Sequence, residues 1–155
     1  MNNNSVKFSN KKRAAFLSKL FFMVSIIIAM IILLFFLLDM IIYAIASGGI
    51  FLLWLLYFQV ADYQYIEFNS ANNKILLRYY KIIHFGKTEF NSIDFPQSLL
   101  YTVKFENSFF GKMTDLTLII KTRRGVAEYP TVSLTALTLK ERNKIKGVLY
   151  NILGI

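Results

Sequence analysis

From Leu20 to Phe58 the chain runs for 39 residues with one charge, Asp39; its few polar or small interruptions include Ser25, Ser47, Gly48 and Gly49. As a single helix this run would be roughly 58 Å long at about 1.5 Å per residue. A bilayer's hydrocarbon core is about 30 Å thick and takes about 20 helical residues per crossing. The run therefore holds nearly two crossings. Asp39 stands at its midpoint, with 19 residues on either side. A carboxylate costs several kcal/mol at a bilayer centre but little at a turn in the interface. The pattern predicts a helical hairpin with spans Phe16–Leu37 and Met40–Val60, turning near Asp39. A break at Gly48-Gly49 would instead leave Asp39 inside the membrane and Ile50–Val60 too short to cross. Ala44-Ile45-Ala46-Ser47 has the look of a signal-peptide cleavage site. The apolar stretch before it, however, is far longer than the about 7–15 residues of a signal peptide, so cleavage is not expected.

After residue 61 the period changes. Residues 63–69 alternate, with Tyr65, Glu67 and Asn69 against Ile66 and Phe68, as in a half-buried strand. Ser70-Ala71-Asn72-Asn73 reads as a turn, because Asn tolerates positive φ. Lys74–Tyr80 is a second strand forming a hairpin with the first, and a third is expected over Ile82–Phe90, loosened at Gly86. Asn91–Pro96 is expected to be a loop, since Pro96 cannot donate to a central ladder. Leu99–Glu106 and Asp115–Thr122 read as strands. Arg123-Arg124-Gly125 is a tight turn into a strand over Val126–Val132, with Pro130 hinting at an edge. A helix is expected over residues 138–153. Thr138 and Glu141 have capping-box spacing, and Ile145, Val148, Leu149, Ile152 and Leu153 fall on one helical face. Lys140, Arg142, Lys144 and Lys146 lie mostly off that face and read as solvated.

The composition sharpens this partition. Of 155 residues 55% are hydrophobic and 17% charged, against about 45–50% and 25% in soluble domains, so a membrane protein is expected. The net charge of +9 also divides. From residue 62 onward 13 basic and 8 acidic residues leave +5, while Lys7, Lys11, Lys12, Arg13 and Lys19 less Asp39 supply the other +4. Those five basic residues precede the first span and act as topology determinants under the positive-inside rule. They place a basic segment 1–15 in the cytoplasm, the hairpin 16–60 in the membrane, and residues 62–155 back in the cytoplasm. Trp54, Tyr57, Tyr63 and Tyr65 then form an aromatic belt at the membrane exit. Nucleic acid is not expected as a partner, because topology already accounts for much of the basic excess.

The candidate chemistry is sparse. With no Cys and one His, disulfides, thiolate metal sites and His-based metal sites are excluded. There is no P-loop, dinucleotide glycine pattern, G-x-S-x-G or H-E-x-x-H. No enzyme activity, cofactor or metal is expected. His84 reads as a structural or solvent-facing barrel residue. Arg123, Arg124, Tyr79 and Tyr80 are candidate contacts for an anionic ligand, and Ser47, Gly48 and Gly49 would permit close packing of helices.

A two-helix membrane hairpin, a strand meander, and a terminal helix opened by Ser133-Leu134-Thr135-Ala136-Leu137-Thr138-Leu139-Lys140-Glu141-Arg142 together resemble the bacterial membrane-anchored PH-like domain proteins. The resemblance covers about residues 20–153 and rests on the order of elements. It implies a membrane α-helical hairpin plus an α+β domain: an antiparallel PH-like β-barrel of six or seven strands with a C-terminal α-helix. It also implies a non-enzymatic binding or scaffolding module in the bacterial inner membrane, both termini cytoplasmic. Expected partners are membrane lipids and another membrane protein, or the chain itself as a homo-oligomer. Two other readings stay open. One is a two-helix β-barrel effector of antiphage defence gated by a cyclic nucleotide, with Tyr79, Tyr80, Tyr101, Phe105, Arg123 and Arg124 supplying stacking and phosphate contacts. The other is an immunity or accessory subunit of another membrane protein.

Overall fold

In the computed structural model, which describes residues 6–155, the apolar run folds as two helices, α1 (Lys11–Leu37) and α2 (Ile41–Ala61). Each is long and apolar enough to cross a membrane, with mean hydropathies of 3.2 and 2.1 over its most apolar stretch. The chain reverses at Leu38–Met40, where Asp39 takes the left-handed conformation (φ 55°) that Asp and Asn accept more readily than other side chains. The helix runs unbroken through Gly48 and Gly49. Aromatic rings hold the pair together towards its open end. Phe21 stacks on Trp54 at 6.3 Å and meets Phe58 at 5.0 Å, and the Trp54 indole N–H donates to Ser25 Oγ at 3.3 Å.

The N-terminal segment has structure of its own. Residues 1–5 of it lie outside the described residues, but Lys7–Ser9 form a strand (β1) and helix begins at Lys11, five residues before Phe16. β1 pairs antiparallel with β2 (Gln64–Asn69), so the strand entering α1 and the strand leaving α2 are neighbours in one sheet. Asn10, almost fully buried, seals this junction. Its amide donates to the Gln64 carbonyl at 3.1 Å and accepts from the Ile66 N–H at 2.8 Å, extending the β1–β2 pairing by one residue.

β2 pairs with β3 (Lys74–Lys81) around the Asn72-Asn73 turn, and both Asn residues have positive φ as their type permits. The third strand is shifted from its expected place. Residues 82–90 are irregular and Asn91–Pro96 is the strand, β4. His84 stabilises the irregular stretch within itself, Nδ1 lying 3.2 Å from the Lys81 carbonyl and Nε2 2.7 Å from Thr88 Oγ1. Pro96 fits in β4 because it is the last residue of an edge strand in the order β1-β2-β3-β4, where a missing N–H breaks no central ladder.

A short 3-10 turn (Gln97–Leu99) leads into the second sheet of β5 (Leu100–Ser108), β6 (Met113–Thr122), β7 (Gly125–Glu128) and β8 (Val132–Ser133). The strand expected over Val126–Val132 is two pieces. β7 and β8 pair with different parts of β6, and Pro130 lies in the gap. Both sheets are four-stranded and antiparallel. No ladder joins them among the described strands, so the expected closed barrel is instead an open pair of sheets. Their inner faces share one core of Ile66, Phe68, Ile75, Leu77, Leu116 and Leu118. α3 (Leu139–Leu153) covers it with Ile145 and Leu149, after a capping box in which Thr138 and Glu141 exchange hydrogen bonds.

Candidate functional site

The register of the first sheet dictates a second, outward face. Ile75, Leu77 and Tyr79 of β3 point into the core, so Arg78 and Tyr80 point out beside their register partners Glu67 and Tyr65 of β2. Tyr65 and Tyr80 stack with ring centres 4.7 Å apart, and Phe90 meets Tyr80 edge-on at 5.1 Å. Lys11, at the first turn of α1, completes a cleft of about 360 Å³ with these rings, Arg78 and Ser92. Arg78 reaches Glu67 at 3.9 Å with its side chain largely exposed, an ion pair contributing about 0–1 kcal/mol that a ligand can displace. Burial, then the Tyr65 phenol, raise the Tyr80 pKa above its ordinary value, so its hydroxyl is a donor at neutral pH. Stacked rings, two cations and phenolic donors suit a flat or extended ligand carrying carbonyl or anionic groups.

The structure brings only two of the four predicted ligand contacts to this cleft. Tyr79 and Tyr80 both line it, although Tyr79 is largely buried in the hydrophobic core. Arg123 and Arg124 form the β6–β7 turn of the other sheet, where Thr122 Oγ1 accepts from the Arg124 N–H, and neither lines the cleft. Tyr101 carries Lys121 over its ring at 5.7 Å, and Phe105 lies under Lys146. The first pair stands on the second sheet, and the second joins that sheet to the C-terminal helix.

Of the basic residues before the hairpin, Lys7 is in β1, Lys11 borders the cleft, and Lys12 and Lys19 are exposed on α1. Arg13 faces Tyr63 and Arg142. Ser47 Oγ donates to the Tyr43 carbonyl of its own helix at 2.8 Å, and a methyl group at Gly48 or Gly49 would meet nothing within 4 Å. The small residues therefore do not pack α2 against α1. Of the expected aromatic belt, Trp54, Tyr57 and Tyr63 join Phe58 in one cluster, while Tyr65 turns to the outer face of the sheet.

Three polar residues escaped sequence reasoning. Asn10 and Gln64 are buried amides at the hairpin–sheet junction. Gln64 donates to Asp62 at 2.6 Å and accepts from the Ser133 N–H at 3.2 Å. Arg142, read as solvated, donates to the carbonyls of Leu134, Leu137, Gly111, Lys112 and Thr135 and to Thr114 Oγ1, at 2.9–3.2 Å. Burial and then the Arg13 charge lower its proton affinity, while Tyr63 opposes them. Tyr63 is pushed up to about 12, chiefly by burial and then by its hydrogen bond with Tyr57. A clue to Arg142 was its position four residues after the Thr138 cap, where a long side chain can reach back over preceding carbonyls. Nothing local signalled that Asn10 and Gln64 are buried, because the partners of Asn10 and the Ser133 N–H that Gln64 accepts from are more than 50 residues away.

Among the described residues no group of three or more His, Asp or Glu side chains converges to hold a metal. Comparison with protein-family models, curated proteins and solved structures finds no match for this chain.

Proposed function

We propose that the chain is a non-enzymatic binding or scaffolding module anchored in the bacterial inner membrane by its helical hairpin, with both termini and the β domain on the cytoplasmic side. The observation that carries this reading is the junction: β1 enters α1, α2 leads into β2, and β1 and β2 are paired neighbours. A domain on a flexible tether would be free to tumble. This one continues the hairpin through backbone hydrogen bonds, as a surface held at a set height and orientation above lipid requires. Two antiparallel sheets followed by a capped helix support assigning the domain to the PH-like modules. The cleft of Lys11, Tyr65, Arg78, Tyr80 and Phe90 is its binding face, for a segment of another membrane protein or of a second copy.

Site-specific photo-crosslinking in membranes tests this. A photoreactive residue at Phe90 should give a discrete adduct that Tyr80→Ala removes, and the same probe at exposed Val126, on the other sheet, should give none. Absence of an adduct at Phe90 would overturn the binding face. The cyclic-nucleotide effector predicts instead that calorimetry of the full chain detects a cyclic di- or trinucleotide, lost in Arg123→Gln/Arg124→Gln. The separation of those arginines from Tyr80 weighs against it.

A further inference from the structure

A larger groove, about 960 Å³, opens where the hairpin meets the β5–β6 turn and the start of α3. Its hairpin wall includes Leu53, Leu56 and Val60, all more than half exposed. The domain wall comes from the β5–β6 turn and the start of α3. Three cations line it, Arg13 of α1, Lys112 of the turn and Arg142 of α3, and no carboxylate does. Elsewhere the ion pairs among the described residues are Arg78–Glu67, Lys81–Asp62 and Lys104–Glu128, so none of the three groove cations has an acid within 4 Å.

The arrangement is specific in two ways. Arg142 is immobilised by six neutral acceptors and keeps its positive charge fixed at the groove, with Arg13 close enough to repel it. Unneutralised like charges beside an apolar wall are unfavourable unless an anion joins them. Moreover, the cations lie beside the last turns of α2 and the first turn of α1, while Leu53 lies eight residues before Ala61, about 12 Å deeper along the helix. Charge at one end and exposed leucine at the other match an amphiphile rather than a free anion. The turn adds Phe109, which lines the same groove.

We infer that this groove binds one anionic glycerophospholipid, its phosphate held between Arg13 and Lys112 beside the fixed Arg142 charge and one acyl chain lying along Leu53, Leu56 and Val60. The site rests on the membrane-anchored reading above but is independent of the cleft on the outer sheet face. It would seat a lipid between the hairpin and the β domain and so fix the domain's height on the bilayer.

Native mass spectrometry of the full chain in mild detergent tests it, with phosphatidylglycerol and phosphatidylcholine of the same acyl chains offered in equal amounts. Retention of phosphatidylglycerol over phosphatidylcholine is expected. Arg13→Gln and Lys112→Gln should each lower that preference roughly five-fold, and the double variant about thirty-fold. Arg123→Gln/Arg124→Gln removes the same charge from a distant turn and should leave the preference intact. Equal loss in that control would overturn the site, since bulk charge alone would then explain binding. Displacement of the lipid by equimolar inorganic phosphate would overturn it too, since the acyl chain would contribute nothing. A chain that enters phosphatidylcholine nanodiscs yet shows no lipid preference loses the site while keeping its anchor. A chain that enters no bilayer loses both.

Discussion

Among the described residues, Asp and Asn supply four of the six non-glycine positions with positive φ, Asp39, Asp62, Asn72 and Asn73, and each marks a place where the chain reverses or leaves a helix. Their short polar side chains tolerate this conformation, which is why the turn at Asn72-Asn73 was legible from residue type, whereas the turn at Asp39 was legible from the cost of a carboxylate at a bilayer centre. The other two, Phe109 and Phe110, follow no such rule; their conformation comes from the β5–β6 turn as a whole. Asp115 makes a pH prediction at this scale. Burial raises its carboxyl above the ordinary range, Asp62 and Glu106 add to the rise, and a hydrogen bond from Ser133 opposes it. The folded state then holds the proton more tightly than the unfolded chain, so stability falls as pH rises from the ordinary Asp value of about 3.9 through the raised folded value. Asp115→Asn should melt above the parent at pH 7, and the difference should vanish below the ordinary value. Melting curves of the detergent-solubilised chain across that range check it, and a constant offset at every pH would reject the assignment.

Between elements, Arg142 is the decisive contact. Its guanidinium joins α3 to the segment after β8 and to the β5–β6 turn, three pieces that share no backbone ladder. Hydrogen bonds to a charged group contribute about 1.5–3 kcal/mol each, though not additively. Arg142→Met should therefore destabilise the domain by about 3 kcal/mol or more, and Arg142→Lys should recover only part of it, because a point charge cannot span the same acceptors. Loss of the Thr138 cap offers a scale for comparison, since Thr138→Ala should cost about 1 kcal/mol. Denaturant unfolding of the three variants ranks them, and a cost for Arg142→Met no larger than that for Thr138→Ala would refute the clamp. The capping box and the α3 apolar face were visible in the chain because both are helix-local spacings. The β4 placement was not. Asn91–Pro96 has turn-like composition, and only its edge position beside β3 makes Pro96 admissible.

For the whole molecule, the pairing of β1 with β2 means that both ends of the hairpin leave it at the same level and enter the same sheet. This carries a prediction about topology. In bacterial membranes, fluorescent-protein fusions at either terminus should be bright and alkaline phosphatase fusions inactive, whereas phosphatase inserted at Asp39 should be active. An active phosphatase at the C-terminus would overturn the orientation. The two-sheet arrangement also separates the anionic-ligand residues. Arg123 and Arg124 belong to the β6–β7 turn of the second sheet, whereas Tyr79 and Tyr80 belong to β3 of the first.

Read alone, the chain determined what depends on short-range spacing: two long apolar helices broken at Asp39, alternating strands, turn residues and a capped amphipathic helix. Each follows from hydrophobic patterning, from the cost of a charge inside a bilayer or from the conformational preference of a residue, and none needs distant partners. Only the tertiary structure decided that β1 exists, that Asn10 and Gln64 are buried amides, that Arg142 is a clamp, and that Lys11 meets Tyr80 at one cleft while Arg13 meets Lys112 at another. The reason is sequence separation. Asn10 is paired with Ile66, Gln64 with Ser133 and Arg142 with Gly111, and a polar group whose partner lies tens of residues away looks, in the sequence, like any solvated side chain.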